Sequence, residues 1–189
     1  MTLHRIKLKE LDSQYIQQLQ ALYPDKEAEV EIWITENQQN ECTEDMFWNI
    51  IGLFDWQNTG DDEAVMAKAV QKLSTLPKKA ITDFYDLLAE KLYFLDGRIY
   101  AENSTDDGYF SADLFLYARC AVVSNGRKVY EDILKNPILF PKDLYFEALL
   151  NLPHKAWLKK TGENLQYSPR YVFETGFNVE GWGEESIVL

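Results

Sequence analysis

Arg119 is the only charged residue in LFLYARCAVV, residues 114–123. On a helix, Phe115, Val122 and Gly126 share its face, and Leu116, Tyr117, Ala118 and Ala121 fill the neighbouring ones. Such a helix is expected to be packed on most sides. A buried guanidinium must then be paired, because an unpaired buried charge is prohibitively costly. Asp96, Glu102, Asp113 and Glu147 are the candidate partners. Two chemistries suit the residue. One is a structural ion pair that fixes helix register. The other is an anion site, where the guanidinium forks onto a carboxylate or phosphate.

Other polar groups could line a ligand pocket with it. Tyr93, Asp96 and Tyr100 share a helical face by their i, i+3, i+7 spacing, with Arg98 nearby. The same tyrosines could simply end a core stripe with their hydroxyls in water. Asp106 and Asp107 lie in a loop beside Gly108, Tyr109 and Phe110, a place suited to ligand contact. The ligand-binding candidates are therefore Tyr93, Asp96, Arg98, Asp106, Asp107 and Arg119. Asp83, Asp86 and Glu90 form a second acidic stripe. Facing further carboxylates, they could hold Mg²⁺ in a helical hydrolase. A solvated face explains them too, and Lys78 and Lys79 one turn upstream support that. No metal ligand is assigned and no cofactor is expected.

No catalytic residue is assigned either. His4 and His154 are the only histidines, and neither stands in a triad-like arrangement. The phosphate-loop, dinucleotide, zinc-protease and nucleophile-elbow motifs are missing. The reading leans against an enzyme. Of the five tryptophans, Trp33 and Trp182 are the candidates for partner contact, because exposed tryptophan is enriched at interfaces.

The elements that must position these groups are mostly helices. Thr43 caps a helix through MFWNIIGLF, Asp61 starts a second to about Leu76, and Pro77 opens a long third one through KKAITDFYDLLAEKLYFLDGRIYAEN. Ile81, Phe84, Leu88, Leu92, Leu95 and Ile99 give that helix a core stripe, and Gly97 marks a bend or close contact. Ser111 caps the helix carrying Arg119. RKVYEDILKN, DLYFEALLNL and HKAWLKK supply the rest, with Gly162 as the last stop. The first 35 residues differ. LHRIKLK and EAEVEIWI alternate with period two and read as strands around a short helix in DSQYIQQLQALYPDK. Such a β-α-β lobe leaves open edges. It must lean on the body, gain a strand from YVFET (171–175) or SIVL, or pair with a second copy as a homodimer.

The chain has 189 residues and a formal charge of −12. That repels nucleic acid and anionic membrane at long range and favours a basic partner. Cys42 and Cys120 form no Cys-x-x-Cys pair and have no histidine nearby, so a reducing compartment fits. The N-terminus lacks an apolar signal-peptide core, and no run approaches the ~20 residues of a membrane span. A cytoplasmic protein is expected.

Several segments, in order, carry a resemblance: TEDMFWNIIGLFDW, GDDEAV, DLLAEKLYFLDGRIYAE, LYARCAVVSNGRKVYEDIL, PKDLYFEALL and KTGE. Over about residues 43–165 they resemble the bacterial domain of unknown function 4240 family, and ETGFNVEGWG is similar to its C-terminal end. The resemblance implies a mostly helical domain and a bacterial source, and transfers no catalytic residue. The short lobe is similar to N-terminal units of some antitoxin-type proteins.

The expected fold is α+β and predominantly α-helical, with about six helices. A β-α-β lobe takes residues 1–38, a helical domain 43–165 and an irregular tail 166–189. The expected function is a non-enzymatic interaction protein binding a basic partner, immunity- or antitoxin-like. The alternative is a small-ligand-binding protein or enzyme with an anion or Mg-dependent pocket around Arg98, Arg119 and Asp106/Asp107.

Overall fold

Capping chemistry sets the element boundaries. In the computed structural model, which describes residues 12–24, 41–105 and 110–183, Thr43, Asp61 and Ser111 each accept a backbone N–H three residues on, from Met46, Ala64 and Leu114. Those bonds satisfy donors that a helix start otherwise leaves unpaired. They open α2 (Glu44–Ile51), α3 (Asp62–Thr75) and α6 (Ala112–Ser124). Pro77 precedes α4 (Lys78–Phe94), and Gly162 ends α8 (Leu152–Thr161) at φ 76, a left-handed conformation that suits glycine. Gly126 (φ 93) turns α6 into α7 (Arg127–Lys135).

The chain divides into two units, residues 1–36 and 37–189. In the first, α1 (Ser13–Leu22) is capped by Asp12, which accepts from the Tyr15 N–H, and none of its residues is buried. The strands expected in LHRIKLK and EAEVEIWI, and SIVL at the terminus, lie outside the described residues, as do Trp33, Asp106 and Asp107.

Every regular element among the described residues is helical: nine α-helices and 3₁₀ turns at Trp56–Asn58, Pro137–Leu139 and Glu147–Asn151, with no strand. The α+β expectation with a β-α-β lobe is corrected: among the described residues the architecture is all helical. The segment 171–175 shows why. A strand needs a neighbouring backbone to pair with. Here the chain runs as irregular structure, and the alternate residues Tyr171 and Phe173 seat on Tyr93 and Tyr85, at ring separations of 5.0 and 6.3 Å.

In the second unit, α8 lies along α3 and α4, and α6 contacts α4, α7 and the 147–151 turn. Nine of the thirteen α6 residues are buried, so this helix is packed nearly all round. Phe47, Ile81, Phe84, Leu88, Leu92, Leu95, Phe115 and Leu149 fill the core between these elements. Each such side chain contributes roughly 1.5–3 kcal/mol of transfer free energy. No helix among the described residues is long and apolar enough to cross a membrane.

Candidate functional site

The long third helix expected from Pro77 onward ends early. α4 stops at Phe94, and Asp96-Gly97 breaks the chain before α5 (Arg98–Ala101). Tyr93, Asp96 and Tyr100 therefore do not share one continuous face. Gly97 is extended there, and it is close approach that favours glycine: a Cβ would lie 3.0 Å from the Gly181 carbonyl oxygen. Gly181, in the terminal α9 (Val179–Trp182), is tighter still. A Cβ on it would lie 2.5 Å from the Asp96 carbonyl oxygen and 2.8 Å from the Asn178 amide nitrogen.

This contact brings Tyr93, Asp96, Arg98, Arg119 and Trp182 into one cluster. The Asp96 carboxylate is fully buried and accepts from the backbone N–H groups of Gly176 (3.0 Å) and Asn178 (2.9 Å) and from the indole N–H of Trp182 (2.8 Å). The Asn178 side-chain amide donates to the Tyr93 carbonyl oxygen at 3.2 Å, and Arg98 Nε donates to the Trp182 carbonyl oxygen at 3.3 Å. Trp182 is 8% exposed, and its ring meets Phe110 and Phe115 edge-on at 5.8 and 5.9 Å. Its polar edge and its faces are thus both used inside the chain.

Arg119 is fully buried on α6. Nη1 donates to the Leu92 carbonyl oxygen at 2.9 Å, and Nη2 to Thr175 Oγ1 at 2.9 Å. The Thr175 hydroxyl passes its own proton to the Ala112 carbonyl oxygen at 2.7 Å, which fixes its lone pairs toward the guanidinium. The guanidinium carbon also stands 4.9 Å from the Phe115 ring centroid, a cation–π geometry. Of its four candidate partners, Asp96 is the one it meets, at 3.9 Å. Coulomb attraction at that separation is about 4 kcal/mol at an effective dielectric near 20. Removing each ion from water costs several kcal/mol, so the pair itself contributes little net stability. Burial accordingly pulls the Arg119 pKa down, partly offset by Asp96.

The second acidic stripe is also spent internally. Asp86 is buried, contrary to a solvated face; it accepts from the Tyr167 hydroxyl (2.9 Å) and the Arg170 N–H (2.9 Å) and forms an ion pair with Arg170 Nε (3.0 Å). Asp83 accepts from Lys79 at 2.9 Å and from the Cys42 N–H at 3.3 Å, and Glu90 pairs with Lys91 at 3.0 Å. Among the described residues, no three His, Cys, Asp or Glu side chains stand where they could hold a metal ion. A hollow of about 60 Å³ opens between Ser104, Phe110, Phe115, Asp143 and Tyr145, room for a few waters, and neither Asp96 nor Arg119 lines it.

Thr175, Asn178 and Gly181 join this cluster without any local signal; the only trace in the sequence is the run ETGFNVEGWG. Buried Lys91, held by Glu44 and Glu90 at 3.0 Å each and 5.9 Å from the Tyr130 ring centroid, was equally invisible, since it reads as an ordinary helix lysine. What the arrangement does chemically is fasten the C-terminal segment: carboxylates on α4 and just beyond it receive that segment's backbone N–H groups at residues 170, 176 and 178.

No curated protein and no solved structure matches the chain. The family described as "Protein of unknown function (DUF4240)" matches residues 42–159, from the N–H donor to Asp83 into α8 and well over half of the sequence. The chain belongs to the DUF4240 family.

Proposed function

We propose that this chain is a non-enzymatic interaction protein whose partner is basic, in the manner of immunity or antitoxin proteins. The observation that carries the reading is the charge: 31 acidic against 19 basic residues, for a net −12. Such a field raises the encounter rate with a cationic protein and opposes approach to nucleic acid. A further support comes from the cluster around Asp96 and Arg119. Its groups are occupied by the chain's own backbone and side chains, which suits architecture better than turnover.

A second reading draws on one atom. Arg119 Nε is buried without a hydrogen-bond partner, which favours the anion version of the pocket expected around Arg98, Arg119 and Asp106/Asp107. Both Nη atoms, however, already have acceptors, and the side chain has no exposed surface.

The test is capture by the full-length chain from lysate of its native host, at low and high salt. Screening shortens from about 10 Å at 0.1 M to about 3 Å at 1 M salt. The proposal expects a basic protein held at low salt and released at high salt. Capture of nothing at low salt, together with thermal stabilisation by phosphate or Mg²⁺, would move the assignment to the ligand reading.

A further inference from the structure

Trp182, singled out for partner contact, is buried, whereas Trp56 is 42% exposed on the opposite kind of site, a fixed turn. The Asp55 N–H donates to the Val65 carbonyl oxygen at 2.9 Å, the Asn58 N–H to Asp55 at 3.0 Å, and the Thr59 hydroxyl to the Trp56 carbonyl oxygen at 2.6 Å. The indole therefore stands on a preorganised backbone and loses little freedom on binding. Its ring lies edge-on to Phe146 at 5.2 Å and to Phe54 at 5.8 Å, both nearly buried, which form a floor beneath it. Leu53, Leu144 and Tyr145 are exposed on the same two segments. Trp and Tyr on an apolar floor are the residue types that dominate interface energetics.

The charge around this patch is lopsided. Segments 53–62 and 142–147 carry Asp55, Asp61, Asp62, Asp143 and Glu147 against one base, Lys142. Lys68 of α3 pairs with Asp55 at 2.8 Å and leaves the rest of the excess standing. A second copy of this chain would bring the same acidic rim and be repelled.

We propose that the Trp56 patch is the docking surface for a cationic polypeptide segment bearing apolar side chains. This rests on the basic-partner reading above and gives it a location. An apolar side chain of that segment covers the Phe54–Phe146 floor beside Trp56. Its lysines or arginines meet the acidic rim, and one can lie over the indole face.

The test titrates the ¹⁵N-labelled full-length chain with three synthetic peptides: alternating Lys-Leu, all-Lys of equal charge, and alternating Glu-Leu. The indole N–H signal of Trp56, identified by its loss in Trp56→Phe, reports the patch. The Lys-Leu peptide is expected to shift that signal and the amides of 53–62 and 142–147 saturably. All-Lys should bind about tenfold more weakly, and Glu-Leu should leave the spectrum unchanged. Trp56→Ala and Asp62→Lys, checked for unchanged melting, should each weaken the Lys-Leu peptide. Asp62→Lys gives a variant independent of the aromatic floor. Basic peptides that bind with shifts elsewhere, unaffected by both variants, would overturn the location and leave the basic-partner reading standing. No shift with either basic peptide would overturn both.

Discussion

Asp96 and Arg119 are both fully buried and lie 3.9 Å apart, yet no hydrogen bond joins them. What joins them is the C-terminal segment. Arg119 holds the Thr175 hydroxyl, while Asp96 holds the N–H groups of Gly176 and Asn178 and the indole of Trp182. Two opposite charges, each stripped of water, are compensated by the irregular stretch of chain packed around them.

Arg119→Met tests this compensation from one side. It removes the charge that offsets Asp96 and the donors to Leu92 and Thr175, and leaves a buried carboxylate behind. A loss of about 3–5 kcal/mol is expected in denaturant unfolding. Melting unchanged from the parent would contradict the structural role assigned to Arg119. Lys91→Met should behave differently. Its partners Glu44 and Glu90 keep partial contact with water, so they do not become buried orphans. A loss of about 1 kcal/mol or less is expected.

Gly181→Ala tests the close approach. The new methyl would fall 2.5 Å from the Asp96 carbonyl oxygen, so either the tail or the Asp96-Gly97 turn must move. A loss of about 1–3 kcal/mol is expected, in the range of overpacking. Gly52→Ala is the control, since its Cβ would meet the backbone no closer than 3.4 Å, and its stability should be close to the parent's.

His154 predicts the acid limb of stability. It sits edge-on to Tyr85 at 5.3 Å, and burial lowers its pKa below 6.5. In the interval between its folded pKa and 6.5, the unfolded chain binds a proton that the folded chain rejects. Its contribution is therefore intact above about 6.5, falls as pH drops through that interval, and stays constant below it. His154→Gln, which does not titrate, should lose less stability than the parent between pH 7 and 5. Identical slopes would refute this assignment.

The cysteines report opening. Burial pushes both thiols, Cys42 and Cys120, up to about 12. Thiolate is the reacting form, so iodoacetamide at pH 8 should leave the folded chain unlabelled and modify both residues only in denaturant. Rapid labelling of Cys120 in the native chain would contradict the burial of α6.

Local chemistry was legible in the sequence. Thr43, Asp61 and Ser111 cap because their hydroxyls or carboxylates reach an N–H three residues on, and Gly97 marks a real break. Asp96 could be put forward as a partner of Arg119 because charge pairing limits the choice to few residues. The tail was not legible. Asp96 meets Gly176, Asn178 and Trp182 at separations of 80, 82 and 86 positions, and no periodicity encodes that distance. The segment 171–175, put forward as an added strand, instead seats Tyr171 and Phe173 on α4, a contact that local sequence does not encode. Asp86 read as solvated because a helix face is polar by composition whether water or a neighbouring segment covers it. Trp182 was expected at a partner surface and is buried for the same reason: exposure depends on which distant segment arrives.

The most direct test of the account is amide hydrogen exchange at Gly176 and Asn178, whose N–H groups point at the buried Asp96 carboxylate. Both amides should be protected nearly as well as those of α6, and both should lose that protection in Asp96→Ala while α3 and α8 keep theirs. Exchange at the rate of an unstructured chain in the parent protein would contradict it.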